Sequence, residues 1–171
     1  MLAVKKAGNE LINAKDHGVD IYTEAKYGDV MLELEVMVPK RSNSGIYVMG
    51  EYEVQVFDSY GKEKLSGGDM GALYGAATPR VNASKAAGEW QKYVIDFRSP
   101  RFDSDGHKIA NARFVKITLN GQVLHENLEV NGPSGGGVAD KEAPRGPLMF
   151  QGNHGAVAYR NIRITPVEAN R

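Results

Sequence analysis

The sequence has no cysteine among its 171 residues, which excludes a disulfide framework, a thiolate metal site and a cysteine nucleophile. Compartment stays open, because many exported bacterial proteins also lack disulfides. Net charge is absent as well: 21 Lys and Arg stand against 21 Asp and Glu, whereas a nucleic-acid binder ordinarily carries a basic excess. No nucleic-acid partner is therefore expected. No apolar run approaches the ~20 residues that cross a bilayer, so no membrane span is expected. The opening MLAVKKAGNELINAKDHG has neither the apolar stretch nor the small-residue cleavage site of a secretory leader. It fits a cytoplasmic protein, or one whose leader is not in this chain.

What is abundant is glycine. The 20 glycines among 171 residues are about 12% of the chain, against a usual ~7%. Charged and apolar content are ordinary, so disorder is not the explanation. Glycine-rich turns between short apolar runs are what an all-β sandwich or barrel requires. The clearest strand is Asp29–Pro39, where Val30, Leu32, Leu34, Val36 and Val38 alternate with Met31, Glu33, Glu35 and Met37. That period belongs to a strand with one buried face. KRSNSG reads as a turn cluster, followed by a strand at Ile46–Met49. Past Gly50, EYEVQVFD sets Tyr52, Val54 and Val56 on one face and Glu51, Glu53, Gln55 and Phe57 on the other.

Residues 58–88 contain Gly61, Gly67, Gly68, Gly71, Gly75 and Gly88, with only ALYGA as a short strand. So long a loop is either functional or a mobile surface excursion. Strands resume at Glu89–Arg98, with Tyr93, Ile95 and Phe97 on one face. They continue at Arg113–Leu119, with Val115, Ile117 and Leu119 inward. Asp105-Gly106 signals a hairpin, and Asn120-Gly121 reads as a type I′ turn into Gln122–Val130. NGPSGGGVADKEAPRG is a polar loop with a short helical turn expected at ADKEA. Pro147–Gln151 and Ala156–Thr165 are the last strands, separated by GNHG, and the tail 167–171 reads as frayed. The sum is about ten strands, no long helix and a single domain, 1–171. The expected architecture is an antiparallel two-sheet β-sandwich of jelly-roll type, with an up-and-down barrel as the alternative.

Three constellations could carry chemistry. Glu51, Glu53 and Gln55 share a strand face, and residues two apart on a strand lie roughly 7 Å apart. That is the reach of a glycosidase carboxylate pair, although a solvated strand face is the commoner reason for such glutamates. Asp58 ends the same strand, where it either lines a cleft or forms a turn. His154 sits between glycines in GNHG, accessible and able to titrate near neutral pH. His17 and His107 fall in Gly-containing turns and His125 on a strand beside Glu126, with no metal-ligand spacing among them. Of the aromatics, most are core packing, and Trp90 lies outside the Tyr93/Ile95/Phe97 parity as the best candidate for an exposed sugar-stacking ring.

NSGIYVMGEYEVQVFDSYG (43–61), GALYG (71–75), VNASKAAGEWQKYVIDFRSPRFDSDG (81–106), LNGQVLHENLEVNGP (119–133) and GPLMFQGNHGAVAYRNIRI (146–164) together resemble the 3-keto-disaccharide hydrolase domain family. The resemblance runs from about residue 30 to 166, in order and with similar gaps. It implies a concanavalin-like jelly roll, a carbohydrate partner in the form of an oxidised di- or oligosaccharide, and an exported (periplasmic or extracellular) bacterial protein. It also implies cleavage of glycosides already oxidised at C3. The chain departs from the family at its front, which is short and free of Trp. In the resemblance, Glu53 and His154 fall in the two strongest motifs and are the expected acid/base pair. Asp58 would support them or hold a divalent cation, the one cofactor the reading allows, for which Asp69 is a further carboxylate. Asn43, Tyr47, Gln55, Trp90, Gln151 and Arg160 are the expected sugar-binding residues. The competing expectations are a non-catalytic carbohydrate-binding module on the same fold and a scaffold that has lost activity.

Overall fold

The computed structural model describes residues 4–7, 9–14 and 18–168. Thirteen strands follow in chain order: β1 (Val4–Ala7), β2 (Glu10–Asn13), β3 (Ile21–Tyr22), β4 (Val30–Met37), β5 (Asn43–Val48), β6 (Tyr52–Phe57), β7 (Trp90–Arg98), β8 (Arg101–Phe102), β9 (Lys108–Ala110), β10 (Ala112–Leu119), β11 (Gln122–Val130), β12 (Met149–Phe150) and β13 (Val157–Pro166). No helix occurs among the described residues, and so none long and apolar enough to cross a membrane.

The strands form an antiparallel two-sheet sandwich of the jelly-roll type. One sheet has seven strands in the order β1-β2-β13-β4-β7-β10-β11, the other four in the order β3-β12-β5-β6, and β8 and β9 make a separate hairpin. Strict alternation drives the packing. Along β4, Val30, Leu32, Leu34 and Val36 are buried and their neighbours partly exposed. On the facing sheet Ile46, Val48, Tyr52, Val54 and Val56 turn inward to the same core. Aromatic pairs bridge the layers: Tyr52 meets Phe97 at 5.4 Å between ring centroids, and Phe150 meets Tyr159 at 4.4 Å. Each such pair contributes about 0.5–1.5 kcal/mol beyond its burial.

The structure departs from the sequence reading in five places. Three short strands, β1 to β3, lie ahead of the first one expected. Asn43, Ser44 and Gly45 belong to β5 rather than to a turn. In β10 it is Phe114, not Val115, that is fully buried, because the pairing with β7 shifts register between Phe114 and Lys116 and such a bulge reverses the inward parity. ADKEA forms a series of bends with no helical turn. The expected ALYGA strand is reduced to isolated bridges, Val54 with Leu73 and Leu73 with Ala77, which add a short edge beside β6. At the other end, Val167 still donates to Asp29 O at 2.9 Å, and the rest of the expected frayed tail from 169, like His17, lies outside the described residues.

Candidate functional site

The side chains of β5 and β6 that point away from the core come together. Asn43 and Tyr47 from β5 and Glu53 and Gln55 from β6 line a 310 Å³ cavity on the outer face of the four-stranded sheet. Gln151 and His154, from the segment after β12, border the same cavity. Six of the nine residues expected at the site therefore share one hollow. Its volume does not single it out, since hollows of 340 and 450 Å³ occur elsewhere. Its chemistry does.

Glu53 is the centre of it, with only 4% of its surface exposed. Gly45 explains how a carboxyl fits there. A Cβ on Gly45 would run into the Glu53 carboxyl and leave Glu53 no room. With its amide oriented to satisfy its neighbours, Gln55 donates to Ser44 O at 2.9 Å and to Glu53 Oε1 at 3.2 Å. Burial pushes the Glu53 carboxyl up from its ordinary range to about 7; the neighbouring Tyr47 hydroxyl offsets part of this, and the negative charge of Asp20 adds to it. The Tyr47 hydroxyl is raised well above its usual value by the same burial and by Glu53, so it stays protonated.

His154 stands exposed at the rim on the Gly152–Gly155 turn, its Nδ1 against the Asn153 side-chain oxygen. The front strands hold this turn. Asn13 Nδ2, buried in β2, donates to the carbonyls of Gly152 (2.7 Å) and Gly155 (2.8 Å). Asp20 accepts from Gly152 N at 2.9 Å and from Asn153 Nδ2 at 3.2 Å. Gln151 is positioned from below: Ser44 Oγ donates to its carbonyl at 2.7 Å and shares a hydrogen bond with the Tyr159 hydroxyl. The side-chain oxygen of Asn43 is buried and unpartnered, leaving an acceptor unused at the cavity wall.

Two loops complete the wall. Tyr74, from the glycine-rich stretch 58–88, borders the cavity, and its N–H donates to Glu53 O at 3.1 Å. Ser134, Gly135 and Gly136 border it from the opposite loop. Ser134 Oγ accepts from Glu53 N at 3.0 Å, and Gly135 O accepts from the Tyr47 hydroxyl at 3.3 Å. The sequence reading did not single out Tyr74, Ser134, Asn13 or Asp20. Tyr74 was visible only as part of GALYG, and the other three lie where no periodic pattern exists.

Three expected site residues are elsewhere. Asp58 closes a turn, its Oδ2 accepting from Arg41 N at 2.9 Å. Trp90 and Arg160 lie on the far face of the seven-stranded sheet, because Tyr159 and Gln91 take the inward positions beside them and the strand period turns their neighbours out. There the Arg160 guanidinium covers the Trp90 ring at 4.0 Å and donates from Nε to Glu35 at 2.8 Å. The Trp90 ring is thus not a free stacking platform. Glu51 also parts from Glu53. It falls in the turn before β6, takes a hydrogen bond from Ala139 N at 2.9 Å and borders the separate 340 Å³ hollow. Glu53 is the only carboxyl lining the candidate cavity among the described residues.

As cation ligands, the expected carboxylates are already occupied by donors. Asp69 accepts from Ser59 Oγ, Lys62 Nζ and both the N–H and the hydroxyl of Ser66, and these neighbours hold its carboxyl below the usual range against the opposing effect of burial. Asp103, Asp105 and His107 bring ligand atoms within 4.8 Å of one another. They sit exposed on the β8–β9 turn, where Asp103 already accepts the N–H groups of Asp105 and His107.

The fold is a jelly-roll sandwich with a polar cavity on the outer face of its four-stranded sheet. The chain belongs to the 3-keto-alpha-glucoside-1,2-lyase-like domain family, which it matches over residues 4–165; this is the 3-keto-disaccharide hydrolase family of the sequence reading, now extended through the front strands. Among solved structures it is similar to a candidate glycosyl hydrolase from Parabacteroides distasonis, at 28% identity and a TM-score of 0.83, covering 96% of this chain and 74% of that one. The fold is shared with the carbohydrate-binding module CBM66 from Bacillus subtilis, at 11% identity and TM-score 0.55 over 93% of this chain and 83% of that one. It is shared too with the alginate lyase Aly36B, at 10% and 0.57 over 99% and 85%. A comparison with curated proteins finds no match. The family and the Parabacteroides structure support a glycosidase-type enzyme with a sugar ligand.

Proposed function

We propose that this protein cleaves 3-keto glycosides by elimination followed by hydration, with Glu53 as the base. The observation that carries the reading is the solitary carboxyl. Ordinary glycosidases use two carboxylates about 5–9.5 Å apart, and this cavity offers one, together with a histidine and amide side chains. A C3 carbonyl acidifies the C2 proton and makes one base sufficient. Glu53 takes that proton, and the C–H electrons form the C2–C3 double bond of an enediolate. The electrons then return to expel the C1 substituent, whose oxygen takes a proton from His154. Water adds across the resulting enone, with hydroxyl at C1 and a proton at C2.

A base works best when its pKa lies near the working pH, and burial has brought Glu53 to about 7. Asn43 and Gln151 are suited to donate to the oxygen at C3 as charge develops there, and Tyr47 and Gln55 help to orient the ring while their hydrogens hold Gly135 O, Ser44 O and Glu53. The scheme needs no divalent cation. The test is turnover of a 3-keto disaccharide by wild type, Glu53→Gln and His154→Ala. Both variants should fall by 10²-fold or more. Retention within about tenfold, equal to ~1.4 kcal/mol of barrier, would remove the pair from the mechanism.

A further inference from the structure

A cavity of 310 Å³ sits at the small end of the ~300–1,000 Å³ typical of ligand sites. It suits one sugar ring, so the remainder of a glycoside must pass over its rim. The possible exits differ. The hollow that shares Gln151 with it has a volume of only 10 Å³, about one water. The 340 Å³ hollow beside Glu51 shares no lining residue with it. A 450 Å³ hollow does, through Tyr74 and Ser134, which border both.

Tyr74 is built as a platform between the two. Its backbone is fixed by the hydrogen bond to Glu53 O, and the preceding Leu73 is buried in the core and paired with Val54. The following Gly75 turns the chain at φ 74°. Yet the Tyr74 side chain is left out of the core, with 47% of the residue exposed. A rigidly mounted, half-exposed tyrosine offers a large apolar face at little entropic cost. Beyond it the second hollow combines apolar walls from Leu73, Phe114 and Pro133 with polar groups from Glu129 and Asn131. That mixture matches the C–H faces and hydroxyls of a sugar.

We propose that Tyr74 stacks the leaving sugar, which occupies the 450 Å³ hollow while the oxidised ring lies beside Glu53. Tyr74 then favours a sugar over a smaller leaving group at C1. This rests on the reaction proposed above. The test compares kcat/KM for a 3-keto disaccharide and for methyl 3-keto-glucoside, using wild type, Tyr74→Ala and Tyr74→Phe. Tyr74→Ala should lower the disaccharide-to-methyl ratio tenfold or more, and Tyr74→Phe should keep it within threefold of wild type. An unchanged ratio in Tyr74→Ala overturns the subsite. If wild type turns over neither substrate, the reaction fails and the subsite is judged by calorimetry with the parent disaccharide. Binding at least tenfold weaker in Tyr74→Ala supports it. Equal binding, or none to wild type, overturns it.

Discussion

Replacing Glu53 by Gln should do two things at once, abolish turnover and stabilise the protein above neutral pH. Burial lifts the Glu53 carboxyl from 4.5 to about 7. The folded protein therefore holds a proton in that window which the unfolded chain has released. Stability from this group is complete below pH 4.5 and is lost as the pH rises through about 7. Each tenfold change in proton affinity is worth about 1.4 kcal/mol, so the loss is about 3 kcal/mol. For a chain of this size that corresponds to roughly 6–12 °C in Tm. Glutamine keeps the shape and the contact with Tyr47 but has no charge to desolvate. Thermal melts of wild type and Glu53→Gln from pH 4.5 to 8 isolate the effect, since every other titrating group is common to both. The two curves should meet near pH 4.5 and diverge by that amount at pH 8, with the inactive variant the more stable. Parallel curves would refute the buried, shifted carboxyl.

Three further outcomes follow from the same geometry. Gly45→Ala puts a Cβ into the Glu53 carboxyl and should cost about 1–3 kcal/mol together with most of the activity, read by melting and turnover on one sample. Asn13→Ala removes two of the hydrogen bonds that hold the His154 turn; Gly152 O keeps its bond from Gly18 N, but the buried Gly155 O is left unpaired at a cost of about 1–3 kcal/mol, and kcat should fall while the secondary structure by circular dichroism is kept. Trp90→Ala removes only the contact with Arg160 on the far face, beyond its own packing a matter of about 0.5–1 kcal/mol, and should leave kcat/KM within about twofold of wild type.

Sandwich and site were legible in the sequence to different degrees. The sandwich was readable wherever one face of a strand is apolar, as in β4 and, beyond Gln91, in β7, because period-two alternation records burial directly. It failed where side chains obey the site instead. Asn43, Ser44 and Gly45 look like a turn. They lie in a strand because Gly45 makes room for Glu53 and Ser44 reaches the Tyr159 hydroxyl and Gln151 O. Local propensity and final structure disagree here for a functional reason. The site was legible through the motifs that hold Glu53 and His154 together with their neighbours on β5 and β6. Tyr74 and Ser134 come from irregular loops, where only tertiary contacts decide which side chain meets the cavity. Trp90 and Arg160 were misplaced because strand parity says which residues face out, not which of the two outer faces carries the site.

The central claim is that the C2 proton leaves during the reaction. A 3-keto disaccharide carrying deuterium at C2 of the oxidised ring tests it in ordinary water, with untreated substrate as the exchange control. The account predicts slower turnover of the labelled substrate and a released 3-keto sugar that has lost its deuterium. Cleavage at an unchanged rate, with deuterium retained at C2, would contradict it and point to direct displacement at C1.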